Sequence, residues 1–214
     1  MQPIHEWPIN RPHFREPIPE IYDAARYLDD AVSAHLQGQT KLVEDLIEVS
    51  NMPIIRDWLD SIWGKKSPYI FYRHVPNSPP EIIKENRVKE RMPPKEDLKK
   101  LILRDGYHCR ICGIPVVRVE IRERLRKLYP HINIWGTKNI EQHAAFQALW
   151  LQYDHVIPHS RGGNNNIDNM LITCAACNYG RMQYTFDEVG LADPRLKEPV
   201  KSSWDGLERL LKEV

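Results

Sequence analysis

The sequence predicts a mainly helical α+β fold, and three observations carry that prediction. Residues 19–63 repeat apolar side chains at helical spacing, and Tyr153 to Met182 reads as strand, loop, strand and helix. Four cysteines stand as two Cys-x-x-Cys pairs, Cys109/Cys112 and Cys174/Cys177, separated by residues 113–173. In 214 residues that are 42% hydrophobic there is material for one ordinary core or two small ones.

The first 64 residues read as a Pro-rich leader followed by a helical module. Ile21, Ala24, Ala25, Leu28, Ala31, Val32 and Leu36 share one helical face, with Gly38 as the stop. Thr40 offers an N-cap to a second helix with Leu42, Val43, Leu46 and Ile47 inward. Asn51 and Pro53 start a third, with Ile54, Ile55, Trp58, Leu59 and Ile62 inward and Gly64 closing it. Residues 65–94, rich in Pro and Lys, suit a linker holding one short helix at about 81–90 and a short strand at 69–72.

The next domain spans 95–190. It opens with a helix over about 94–104, a turn at Asp105-Gly106 and the first cysteine pair. A strand or turn through 114–117 follows. An insertion at 116–149 then supplies a basic helix over 119–128, with Arg122, Arg124, Arg126 and Lys127, and a second helix over 139–149. Its basic face is placed either to widen a nucleic-acid footprint or to shield the cysteine cluster. A strand over 151–158, a Gly/Asn loop, a strand over 170–173 and a helix entered through Cys174 complete the domain. The tail, 191–214, reads as a docking helix with Trp204, Leu207, Leu210, Leu211 and Val214 on one face.

Charge is unevenly spread. Residues 1–60 carry net −6, residues 61–103 net +5, residues 104–181 net +4 and residues 182–214 net −2. A basic middle behind an acidic front fits a chain of which one half faces a polyanion. No run approaches the roughly 18 apolar residues of a membrane span. The first 15 residues, with Glu6 and no apolar stretch, do not form a signal peptide, so a cytoplasmic protein is expected. In a reducing compartment four cysteines at matched spacing point to one tetrahedral Zn²⁺ rather than to disulfides.

The stretch from Asp154 to Met182 resembles the HNH, or ββα-metal, nuclease family, which includes the HNH domain of RNA-guided CRISPR nucleases. The resemblance rests on Asp154-His155 with Pro158, Gly162-Gly163, Asn169-Met170, and Cys174 to Asn178, preceded by a lead-in at 103–113, and covers about residues 95–190. It implies a ββα-metal core stapled by a four-cysteine zinc site, and a metal-dependent endonuclease acting on DNA, with RNA not excluded. His155, whose side chain is neutral and proton-accepting near neutral pH, suits the general base. The resemblance makes Asp154 a ligand of a catalytic Mg²⁺ or Mn²⁺, and Asn178 adds an amide oxygen to a hard, oxygen-rich site. One carboxylate and one carboxamide are too few for two dications, which favours a single-metal mechanism. Asn169 is expected to hold the loop beside His155, unless it is merely a turn residue. Arg181 stands one turn beyond Asn178, either to contact the scissile phosphate or as a solvated helix charge. Asn178 replaces a third His, giving an H-N-N variant.

His159 reads as a structural or substrate-facing residue, and Asp168 as a turn residue. His108 is surplus to four thiolates, and His131 and His143 carry no spacing signal. Two other readings stay open. One is a nuclease subunit of a bacterial defence or mobile-element system, with residues 19–63 docking on a partner or forming a homodimer. The other is a zinc-stapled nucleic-acid-binding module without catalysis.

Overall fold

The computed structural model describes residues 8–63 and 67–212. Gly64 and Val214, expected to close one helix and to line another, lie outside the described residues. Helix α1 (Pro19–Leu36) starts on a proline whose fixed φ suits the first helical position. Ile21, Ala24, Ala25, Leu28, Ala31 and Val32 are buried on one face, whereas Leu36 is exposed and Ala34 is buried in its stead. The chain turns through Gly38 at φ +72 into α2 (Thr40–Val49). Thr40 is the first helical residue and not the cap; Gln39 precedes it without a side-chain cap bond. Val43 and Ile47 point inward and Leu42 outward. In α3 (Pro53–Ile62), Ile55, Trp58, Leu59 and Ile62 are buried, while Ile54 faces out.

Residues 67–94 form neither the expected strand at 69–72 nor a helix at 81–90. A single 3-10 turn, Lys84–Asn86, is their only regular element. Pro68, Pro76, Pro79 and Pro80 remove ladder donors, and the segment bonds instead along the 156–169 loop. Ile82 N donates to Ser160 O at 2.7 Å, and Arg161 Nη1 donates to Pro79 O at 2.8 Å.

Helix α4 (Lys95–Asp105) ends on a buried carboxylate. Asp105 accepts from Arg104 at 2.8 Å and from the backbone N of Ile172 at 3.0 Å, tying α4 to the sheet. Helix α5 (Val119–Leu128) follows the predicted bounds, but Arg122 is buried while Arg124, Arg126 and Lys127 stay exposed. The single helix expected over 139–149 is broken in two. Glu141 turns its carboxylate onto the backbone N of Thr137 and Lys138, closing a 3-10 turn. His143 is extended, and α6 (Ala144–Ala148) begins after it.

Strand β1 (Leu151–His155) stops short of Pro158 and pairs antiparallel with β2 (Met170–Cys174), with Asp154 opposite Leu171 and His155 opposite Met170. Helix α7 (Ala175–Arg181) returns across the sheet. The expected C-terminal helix is a 3-10 turn, Glu208–Leu211. Asp205 accepts from Leu207 N at 2.8 Å, and Gly206 sits at φ +66 where a Cβ would collide with the Tyr107 ring. Leu207 and Leu210 are nonetheless fully buried, and Leu211 is exposed.

One apolar cluster runs from Phe14 through α1, α2 and α3 to α5, α6, both strands, α7 and Leu210. Arg209 clasps α1 from the far end of the chain, donating to Asp29 Oδ1 at 2.7 Å. Among the described residues no helix is long and apolar enough to cross a membrane.

His143, 1% exposed, donates from Nε2 to Ile47 O at 2.8 Å, and its Nδ1 has no hydrogen-bond partner among the described residues. Burial lowers its pKa to about 4. The unfolded chain, with an ordinary His near 6.5, therefore takes up this proton first as pH falls. Stability contributed by neutral His143 is complete above about pH 6.5 and is lost progressively toward pH 4, about 3 kcal/mol in all. Urea midpoints at pH 7.5 and 5 should fall more steeply for wild type than for His143→Gln; parallel losses would exclude this histidine as the acid-sensitive group.

Candidate active site

The four cysteines converge between α4, β2 and α7. Their sulfurs all lie within 4.8 Å of one another, with Cys112 Sγ 3.7 Å from Cys174 Sγ. Four sulfurs around Zn²⁺ at about 2.3 Å stand about 3.8 Å apart, so the cluster fits one tetrahedral dication. Cys174 is the N-cap of α7 and its sulfur accepts from Cys177 N at 3.5 Å. Burial opposes ionisation of Cys109, but hydrogen bonds from the other three thiols outweigh it and hold its pKa well below the ordinary value. His108 stands outside the cluster, bonded to Gly113 O and Ser202 Oγ.

Successive residues of a strand face opposite sides, so Asp154 and His155 part ways at the end of β1. Asp154 faces α7, where Arg181 meets it through two hydrogen bonds, Nε to Oδ2 at 3.2 Å and Nη2 to Oδ1 at 2.5 Å. Arg181 is wholly buried and also donates to the carbonyls of His155, Val156 and Tyr184. All five guanidinium donors are thereby engaged within the protein. The side chain proposed from sequence as a phosphate contact or a solvated charge instead grips Asp154 and the end of β1.

Gln152, two residues before Asp154 on the same face, was not singled out by sequence; the two-residue period of the strand was the available signal. Asn178 Nδ2 donates to Gln152 Oε1 at 3.3 Å, and Asn178 Oδ1 has no hydrogen-bond partner among the described residues. Asp154, Gln152 and Asn178 thus form a face of hard oxygen donors. Arg181 takes one lone pair from each Asp154 oxygen, and a carboxylate oxygen has two, so the set retains capacity for a divalent cation.

His155 faces the loop. Its Nε2 bonds Asn165 Oδ1 at 2.9 Å, and Asn165 Nδ2 in turn donates to Glu90 O at 2.8 Å. With Nε2 as the N–H donor, Nδ1 carries the free lone pair. Burial lowers the His155 pKa, opposed by the Asn165 bond and the Asp154 charge and assisted by His159 and Arg91. The imidazole is therefore neutral at neutral pH. His159 stands beside it, ring centroids 5.7 Å apart.

Asn169 clips the loop at both ends. Its Oδ1 accepts from Ile157 N at 2.9 Å, and its Nδ2 donates to Ile157 O and Asn164 O. Gly163 packs so closely that a Cβ there would overlap the Ile157 carbonyl. Asp168 lies in the 3-10 turn Ile167–Asn169.

Arg91, in the Pro/Lys-rich segment, was likewise missed by sequence. It is exposed, has no hydrogen bond or ion pair among the described residues, and its charge reaches both His155, whose pKa burial lowers, and Tyr179, whose pKa burial raises against the pull of Arg91. An exposed guanidinium whose charge reaches the imidazole is suited to a phosphate.

Residues 144–189 match the family model of HNH endonucleases. The matched stretch holds β1, the loop, β2 and α7, and leaves Cys109 and Cys112 outside it. No curated protein and no solved structure matches the chain.

Proposed function

We propose that the chain is a metal-dependent HNH endonuclease that hydrolyses DNA phosphodiester bonds with His155 as general base. The observation that carries this reading is the imidazole itself: it is neutral, fixed through Nε2 by Asn165, leaves Nδ1 without a hydrogen-bond partner among the described residues, and feels the charges of both Asp154 and Arg91. A nucleic-acid-binding module needs none of these.

Asp154 and Asn178, with Gln152 beside them, would hold one Mg²⁺ or Mn²⁺. A bound dication would offset the charge that builds on the phosphate and on the leaving oxygen. His155 Nδ1 takes a proton from the water whose oxygen bonds to phosphorus, while the P–O bond to the leaving group breaks and solvent protonates that oxygen. Arg91 meets the phosphate. Asn169 positions the loop, and Arg181 positions Asp154 and the His155 backbone without touching substrate. The four cysteines would hold a Zn²⁺ in a structural role, because four protein ligands would leave no open position for water.

A plasmid-nicking assay with Mg²⁺, Mn²⁺ or neither tests the reading. His155→Ala should slow cleavage by about 10² to 10⁴ while leaving the circular-dichroism spectrum unchanged. A variant that nicks as fast as wild type would remove His155 from the mechanism.

A further inference from the structure

We propose that a cleft beside α7 seats an unpaired nucleobase of the strand being cut. The proposal rests on the nuclease reading above and adds to it a substrate class: DNA whose bases are unstacked next to the scissile phosphate. The cleft encloses about 490 Å³ and is walled by Trp63, Trp135, Trp150 and Tyr179, with the amides of Asn139, Gln142 and Gln147 at its edge. That volume is in the range of small-molecule sites.

Three features favour a base over other occupants. The first is continuity with the site, since Tyr179 directly follows Asn178 and is 45% exposed. A strand whose phosphate lies against Asn178 and Arg91 has its adjoining base within reach of this ring. The second is ring geometry. Trp63 and Tyr179 are inclined by 66°, Trp150 and Tyr179 by 55°, and Trp135 and Trp150 by 81°. No recorded pair of these rings is stacked face to face; Trp63 with Tyr179 and Trp135 with Trp150 meet edge to face, so each ring keeps at most one face for a ligand. Arg122, buried at 3.6 Å from the Trp135 ring centre and 5.1 Å from that of Trp150, fixes both rings from behind the cleft wall. The third is polarity. None of the lining residues is a carboxylate, and the Asn139 and Gln142 side chains have no hydrogen-bond partner among the described residues. Carboxamides supply both donors and acceptors, as the edge of a base requires. Aromatic platforms of this kind bind single strands by stacking.

The test is fluorescence anisotropy on the full chain, without added Mg²⁺. It uses a short labelled single-stranded oligodeoxynucleotide and the same strand with abasic residues in its central block. Wild type should bind the base-bearing strand about 5- to 150-fold more tightly, the span of stacking on one ring. Tyr179→Ala should lose most of that preference, Tyr179→Phe should keep it, and affinity for the abasic strand should be the same in all three. Equal affinity for the two strands, which a cleft built for a partner protein's side chain would give, overturns the proposal. So does a Tyr179→Ala loss that is equal on both strands. His155-dependent nicking without base preference sinks this inference and leaves the nuclease reading standing; base preference in a chain that never nicks does the reverse.

Discussion

Replacing Cys174 by Ser is expected to cost the chain its native state and not merely its rate. Cys174 is fully buried where β2 passes into α7, and its sulfur stands 3.7 Å from Cys112, which belongs to the lead-in after α4. A dication held there joins three elements that carry the candidate site. Zinc binding in small structural sites contributes about 10 to 16 kcal/mol, whereas a whole domain is stable by about 5 to 15 kcal/mol. Loss of one of four thiolates therefore weakens a contribution that is comparable to the whole. Elemental analysis should find one zinc per wild-type chain, and thermal melts should show Cys174→Ser without a cooperative transition. A variant that melts within a few degrees of wild type, or a wild-type chain free of zinc, would refute the structural assignment.

Arg181→Met is expected to destabilise the fold by about 3 to 5 kcal/mol, the usual cost of stranding one member of a buried ion pair. Asp154, 7% exposed, would be left buried without its guanidinium partner. The carbonyls of His155, Val156 and Tyr184 would lose their donor as well. Adding Asp154→Leu to Arg181→Met should recover much of the stability, since an apolar pair of similar volume removes the stranded charge. It should recover no cleavage, because the carboxylate would be gone too. Urea denaturation of the single and double variants reads the first effect, and plasmid nicking the second. If Arg181→Met keeps full stability and loses only affinity for DNA, the residue is a phosphate contact after all.

Much of this architecture was legible where the determining forces are local. Pro19 and Pro53 start helices whose apolar spacing depends on no distant partner, and α5 falls on its predicted bounds. The cysteine spacing told of a cluster because the geometry of four sulfurs around one ion is restrictive. What escaped was decided by tertiary neighbours. Arg181 reads the same whether it faces water or Asp154, and only the packing of α7 on β1 selects between them. Asn165 sits in a run of three asparagines with no periodic signal, so nothing local distinguishes the one that meets His155. The 204–211 segment has helical spacing, but Asp205 and Gly206 impose a turn against Tyr107 that overrides it.

The clasp of Arg209 on Asp29 also bears on when the protein can work. The two residues are 180 positions apart in sequence, and Leu207 and Leu210 fill the same core as α1. During synthesis the stretch 151–181 emerges before residue 210 exists, so β1, β2 and α7 must wait with part of their support missing. Contacts of such long sequence separation also form slowly. A ribosome-bound chain short of residue 210 should therefore lack part of the core beneath the candidate site, and whatever that site does should begin only once Leu207 and Leu210 have emerged and packed.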